Sequence, residues 1–538
     1  MKDLAYIIND IALPVTSPAA ESFSIAKERL QRAHAFSNDV SFSIYRKSVD
    51  ARKKKDIRFV YSVAASGVRK EISDSLCKEL HMARLQSGEI SFTHGTDVLE
   101  SPPVVIGAGP CGLFAALLLA KNGYTPIVLE RGGSVQERIA LVDAFNKTQV
   151  LDTETNVQFG AGGAGTFSDG KLVTRLNDPF ISFVLSTLVE MGADPDILTK
   201  AKPHVGTDVL CIVTQHIIDA IESYGGRVLY HTKFLRAIST GGVVSAVETS
   251  QGRIPAGALI LAIGHSARDT YEALLQDGFA LEAKPFSVGM RIEHRAEDID
   301  RALYGDFAGH PALGHAEYNL SYNTKVRGVY TFCMCPGGTV VAATSERGGV
   351  VVNGMSERAR DGKNSNSAVV CSIFKEDYGA TPMKAIEFQL AIERAAFQAA
   401  GKNYSAPFCS VGDFLARRAP KATDGKIAPT YMQGAHVTLA SPEQYLPGFV
   451  CDNIRDALFA FDKKIEGFAD SSALLTGAET RTSAPIRILR DAASRLALGY
   501  KNLYPGGEGA GYAGGITSAA LDGIYIAISL MERYAPIL

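Results

Sequence analysis

Long apolar runs are missing from this 538-residue chain, and none approaches the ~18 residues that a membrane-spanning helix needs. A paired-cysteine framework is missing too. The eight cysteines are scattered, which excludes a disulfide-stapled secreted scaffold and points to a reducing compartment. Charge of either sign is barely in excess: a formal net charge of −2 supplies no global field to gather nucleic acid or anionic membrane. The opening stretch MKDLAYIINDIALPV sets acids among its apolar residues, unlike a secretory signal. These absences lead us to expect a cytoplasmic protein with no membrane partner. What is present, 46% hydrophobic and 21% charged residues, suits a globular chain of about three domains.

The chain is organised around VVIGAGPCGLFAALLLAKNGYTPIVLERGG, residues 104–133. Val104–Ile106 reads as a buried parallel strand, Cys111–Lys121 as a helix ending at Asn122-Gly123, and Ile127–Leu129 as a second strand. Between strand and helix, Gly107, Gly109 and Gly112 make Gly-x-Gly-x-x-Gly, with Pro110 and Cys111 inside it. The first glycine permits the turn, the second lets backbone approach a pyrophosphate, and the third lets helix lie on strand. Glu130 closes the second strand at the ~20-residue distance of an acid that takes a ribose hydroxyl, and Arg131 follows it. A dinucleotide is the expected ligand, its phosphates at the helix N-terminus.

Two further glycine loops match the same spacing formally: Gly160, Gly162 and Gly165 in QFGAGGAGTFSDGKL, and Gly509, Gly511 and Gly514 in GGEGAGYAGG. Neither sits in a strand–helix–strand–acid context. The first, with Gly165, Thr166 and Lys171, reads as flexible backbone against a flat ring system; a surface loop with a solvated lysine is the other reading. The second places Glu508 before a helix whose first N–H groups, near Gly515 and Ile516, can stabilise negative charge. Gly264 and His265 follow the strand Ala258–Ile263, at a strand end where open sheets gather their sites. A structural histidine fits that position as well.

In the N-terminal region, Leu4–Val15, Val40–Tyr45 and Ile57–Val63 read as strands, and residues 22–36 and 71–85 as helices. Arg46–Lys55 is a basic run with no interleaved aromatic, open to nucleic acid or an acidic partner but equally a solvated hairpin. A linker is expected over about 86–103. Residues 271–480 hold strands at 286–293, 329–334 and 339–343 and helices at 385–400 and 454–468. They contain no second nucleotide fingerprint, which argues against a disulfide-reductase layout. Cys333-x-Cys335 lacks the redox Cys-x-x-Cys spacing, and no further ligands are nominated for a metal. Arg291, His294, Arg358, Arg360 and Arg481 are candidates to bind an anionic substrate, with surface ion pairing the alternative for each.

GAGPCG, LERGG, LILAIGHSARDT and GGEGAGYAGG resemble the two-dinucleotide-binding-domain FAD oxidoreductases. QFGAGGAGTFSDGKL, TFCMCPGG, VVNGMSERAR and GAETRTSAPIR are similar to a bacterial group of FAD-dependent dehydrogenases, one that supplies no substrate. The resemblance spans most of the chain. It implies an α/β fold: a Rossmann-like FAD-binding domain (96–270 and 481–538), a large inserted α+β substrate domain (271–480), and a small N-terminal α/β module (1–95). It implies FAD held by Gly107, Gly109, Gly112, Glu130, Arg131, Gly264 and Glu508, the Gly160–Lys171 loop near the ring, and Phe234 offering backbone to the adenine. Superfamily members usually carry Asp where Glu508 stands. The expected activity is hydride transfer at flavin N5 to or from an unknown small molecule, with NAD(P)H a transient reductant and Lys171, His265 and Cys335 as catalytic candidates. Two alternatives are a non-catalytic flavin protein whose N-terminal module engages RNA or protein, and an NAD(P)-only dehydrogenase. The returning Glu508 loop argues against the latter.

Overall fold

The computed structural model describes residues 4–85, 90–324, 326–379 and 381–537. Part of the expected 86–103 linker, including Gly88, lies outside them. The chain divides into two compact units, one of residues 1–90, 175–204 and 297–316, the other of 91–174, 205–296 and 317–538.

In the first unit a four-stranded antiparallel sheet runs in the order 41–50, 58–68, 4–14, 82–84. Helix Glu21–Arg32 buries Ser22, Ala26 and Leu30, four residues apart and so on one face. The helix expected over 71–85 is only Asp74–Glu79. His81 turns left-handed (φ 54°), and Met82–Arg84 then pairs as an edge strand. The basic run is divided between strand Ser41–Asp50 and the turn after it. The Lys47 ammonium lies 3.7 Å from the Phe59 ring centroid, and its backbone pairs with Thr199 and Ala201.

The second unit contains a five-stranded, all-parallel sheet in the order 503–505, 258–261, 103–106, 127–129, 227–229. Helix Pro110–Lys121 starts with proline at its first position and buries every side chain from Cys111 to Ala120. A helix apolar all round must be covered on all sides. Helix Ile516–Met531 packs so closely on it that a Cβ on Gly523 would stand 2.1 Å from the Cys111 carbonyl oxygen. Among the described residues no helix is long and apolar enough to cross a membrane.

The same unit holds a seven-stranded mixed sheet, ordered 321–323, 328–335, 364–373, 286–295, 474–479, 406–410, 437–439. Its middle strand Phe286–Arg295 is buried along its length up to Arg295, and it carries Arg291, Glu293 and His294. Glu293 accepts from the Thr430 hydroxyl (2.8 Å) and from Asn364 Nδ2 (3.1 Å). Burial pushes its carboxyl up to about 7, against those hydrogen bonds and the Arg291 charge. Its folded pKa therefore lies above the ordinary 4.5. Between these values the folded state binds more protons than the unfolded one, so stability falls as pH rises from about 4.5 through 7. The loss is on the order of 3 kcal/mol at completion. The difference in melting temperature between Glu293→Gln and the parent should grow in the variant's favour from pH 5 to pH 8, which calorimetry at both values checks.

Candidate functional site

Four glycine turns that are distant in sequence meet at one place. Gly107 has φ +99°, and a Cβ there would stand 2.4 Å from the Ala262 carbonyl oxygen. The amide of Gly162 donates to the Ala108 carbonyl (2.8 Å), which brings the Gly160–Lys171 loop onto the first turn. Thr517 Oγ1 donates to the Leu172 carbonyl (2.8 Å), tying the C-terminal helix start to that same loop. A Cβ on Gly509 would lie 2.4 Å from the Gly264 oxygen, so the Glu508 loop presses on the end of strand 258–261.

Together these turns wall a cavity of about 330 Å³. Of the residues nominated from sequence, Gly107, Gly109, Pro110, Cys111, Glu130, Arg131, Gly165, Lys171, Phe234, Gly264, His265, Glu508, Gly515 and Ile516 line it. Gly112 and Thr166 do not. Gly112 faces the Gly107 carbonyl oxygen, 1.9 Å from where its Cβ would be, and Thr166 is buried in its loop with its carbonyl accepting from Thr207. Cys335 is fully buried behind the wall, and Cys333 lines the cavity instead. The strand ladder slips between Phe332 and Cys335, and Cys333 turns left-handed (φ 44°); such a bulge re-aims a side chain.

Glu130 is oriented by three backbone amides, those of Ala108 (3.0 Å), Gly132 (2.9 Å) and Gly160 (3.0 Å). Arg131 stacks its guanidinium 4.1 Å from the Phe159 ring centroid and pairs with Glu154 and Asp269. The Glu508 loop is braced by Asp522, which accepts from the Gly507 amide (2.8 Å) and binds Arg490 through both oxygens. Gln158 Nε2 also belongs to the wall and is buried without a hydrogen-bond partner, while its Oε1 accepts from Ser266 (3.0 Å). A buried donor left without a protein partner beside a cavity is available to an acceptor on whatever occupies that cavity.

Lys171 donates to Asp169 (2.7 Å) and to the Met334 carbonyl. Burial pulls its pKa down, but Asp169 and the two cysteines outweigh that and hold it charged. Burial likewise opposes ionisation of Asp169, yet Lys171 and Arg360 keep its carboxyl well below the usual range. His265 donates from Nε2 to the Arg481 carbonyl (3.1 Å), so a neutral ring presents Nδ1 as acceptor. Burial lowers its pKa, against the Glu508 charge, which keeps it neutral.

The five anion-binding candidates part ways. Arg481 lines the cavity, but its guanidinium is engaged by Glu393, Glu346 and Ser345. Arg291 is spent on Glu479 (2.7 Å), Asn366 and Asn353, and Arg360 on Asp169 and Glu317. His294 meets the Phe468 carbonyl, and the Arg358 amide meets Asp208. Sequence reasoning missed Arg138. Fully buried, it donates to the carbonyls of Asn156, Val157, Gly160, Ala161 and Gly163 at 2.8–3.4 Å and so shapes the glycine loop.

A family model described as "FAD-dependent protein, C-terminal domain-like" matches residues 285–482. Over 525 residues the chain is 43% identical to a Clostridium beijerinckii protein described as "Uncharacterized protein", covering 95% of this chain and 96% of that one. An L-amino acid deaminase from Proteus vulgaris is 13% identical over 84% of this chain and 97% of its own, with a TM-score of 0.32. A geranylgeranyl bacteriochlorophyll reductase-like protein from Thermoplasma acidophilum is 12% identical over 79% and 76%, with a TM-score of 0.33.

Proposed function

This chain belongs to the bacterial family of its Clostridium beijerinckii relative, a family of FAD-dependent proteins within the two-dinucleotide-binding-domain flavoproteins, and on that premise we propose that it is an oxidoreductase acting on a small molecule. The observation that carries this reading is the convergence of four glycine turns on one cavity that also holds Glu130, Glu508, a helix N-terminus and the orphan Gln158 amide.

The residues present fit FAD in extended form. A Cβ on Gly109 would meet nothing nearer than Gly163 Cα at 3.8 Å, so the backbone there lies open for a pyrophosphate to approach. Glu130 is held ready for a ribose hydroxyl, with Arg131 and Phe234 at the adenosine end. Glu508 would take a ribityl hydroxyl, and the N–H groups near Gly515 and Ile516, which line the same cavity, would stabilise negative charge on the pyrimidine end of the ring. Bound FAD supplies hydride chemistry at N5. Around it, Lys171 contributes a fixed cation and His265 an acceptor at Nδ1. Asn353 and Thr482, also on the wall, offer polar contacts to a substrate.

The test is reconstitution of the purified protein with FAD, followed by anaerobic mixing with NADH, NADPH and a metabolite panel. Flavin absorbance that bleaches with one donor is expected. A protein that stays colourless ends the FAD reading. Bound flavin that no donor reduces, with tight RNA binding that weakens with salt, would favour a non-catalytic role. Glu130→Gln puts an amide N–H against one of three backbone donors, and should weaken FAD at least about tenfold in fluorescence titration.

A further inference from the structure

Cys333 and Cys335 differ in a way that packing does not require. Cys333 faces the cavity, while Cys335 is sealed behind it. The Cys335 thiol donates to the Cys333 carbonyl oxygen (3.3 Å), which holds the two residues against each other. Two cations attend them: Arg291 Nη1 stands 3.9 Å from Cys335 Sγ and donates to the Cys333 carbonyl (2.8 Å), and Lys171 donates to the Met334 carbonyl between them. A thiol that only fills space is served by apolar neighbours, and these are charged. The hydrogen bond with Cys335, then Arg291 and Lys171, draw the Cys333 thiol down towards thiolate against its burial, while Cys335 is pushed up. An accessible thiolate beside a buried, protonated partner is the asymmetry that thiol–disulfide exchange uses: one sulfur attacks, the other resolves. One intervening residue keeps the two Cα atoms within about 7 Å even at full stretch, at the edge of disulfide reach, and the bulge interrupts that extension.

We propose that Cys333 and Cys335 form a reversible dithiol–disulfide couple in the cavity wall that exchanges two electrons with FAD bound there. The inference rests on FAD occupying the cavity. In the oxidising direction the Cys333 thiolate and the Cys335 thiol join through an Sγ–Sγ bond. The pair gives up two electrons and the Cys335 proton, and the oxidised flavin takes all three. The reverse direction returns them and restores both thiols. The Cys-x-Cys spacing differs from the usual redox pair, and the bulge at Cys333 is the local feature that lets it serve.

Trypsin releases Gly328–Arg347 with these two cysteines and no other. FAD-loaded protein is equilibrated anaerobically in glutathione buffers of graded ratio, alkylated, digested and weighed. The expected result is two alkylations on this peptide under reducing ratios and none under oxidising ones, with the other six cysteines alkylated throughout. Cys335→Ser should retain glutathione on Cys333, and Cys333→Ser should not form the adduct at Cys335. A peptide alkylated twice at every ratio overturns the couple, as does oxidation confined to other cysteines. In the second arm, the flavin of the disulfide form is photoreduced; two thiols should appear in this peptide as the flavin re-oxidises. Reduced flavin standing beside an intact disulfide overturns the electron exchange. Missing flavin absorbance instead marks failure of the FAD reading, and the glutathione arm still reads the thiol pair on its own.

Discussion

Gly109→Ala should fold normally and lose FAD, whereas Gly112→Ala, three residues on, should lose the fold. Gly109 has φ −83° and ψ −179°, a backbone state that any residue adopts, and an added methyl would meet only Gly163 Cα at ordinary contact distance. The free protein has no reason to resist it. The methyl would stand where a pyrophosphate oxygen must come within hydrogen-bond reach of the helix N-terminus, so the cost falls on the complex alone. We expect a loss of at least about a hundredfold in FAD affinity, near 3 kcal/mol, with a melting temperature within about 2 °C of the parent when both are flavin-free. At Gly112 the same methyl would lie 1.9 Å from the Gly107 carbonyl oxygen and 3.2 Å from Val105 Cγ1. Helix and strand would have to separate, and that displaces the buried face of Pro110–Lys121 from the sheet. A cost of several kcal/mol follows, at the upper end of overpacking effects. Thermal unfolding of the two flavin-free variants, paired with flavin fluorescence titration, separates the outcomes. If both lose stability equally, Gly109 has a packing role and the open approach to its backbone is not the reason for glycine there.

That contrast also marks what the sequence could and could not reveal. Gly-x-Gly-x-x-Gly with Glu130 was legible because every part lies within thirty residues of chain and local spacing sets the geometry. The parallel strands 103–106, 127–129 and 258–261 were legible as short apolar runs between turns. The pairing of charges was not. Arg291 meets Glu479 and Arg360 meets Asp169 across more than 180 residues each, so arginines that looked available for an anionic substrate are occupied by carboxylates that no local pattern nominates. The exchange of Cys335 for Cys333 on the cavity wall had the same cause at shorter range. A slip in the ladder against strand 364–373 decides which thiol is presented, and alternation read along one strand cannot show it. The supposed helix over 71–85 failed for a related reason. The strand Met82–Arg84 exists through pairing with Tyr6–Ile8, a tertiary partner that outweighs local helical periodicity.

Arg138 is the residue whose loss should do most damage for the least visible reason. The loop it serves has left-handed glycines at 160, 162 and 163 and lies outside any sheet, so its carbonyls need donor partners from elsewhere. One guanidinium provides them, with five carbonyls bound in a fixed fork and the Phe167 ring 4.7 Å from its carbon. Burial lowers its pKa only to about 10, with Glu130 opposing, so the group is charged across the neutral range. Arg138→Met keeps most of the volume and removes every donor, leaving buried carbonyls unpaired. At about 1 kcal/mol or more for each, destabilisation of at least about 4 kcal/mol is expected. Arg138→Lys keeps the charge, but a single ammonium cannot span the fork, and it should recover less than half of that loss. The same loop carries Gly165 and Lys171 into the cavity, so FAD affinity should fall in step with stability in both variants, unlike Gly109→Ala, where affinity alone falls. Denaturant unfolding and flavin titration on the three proteins give the comparison. An Arg138→Met protein as stable as the parent would mean that water or another donor satisfies those carbonyls, and that the loop does not depend on this arginine for its shape.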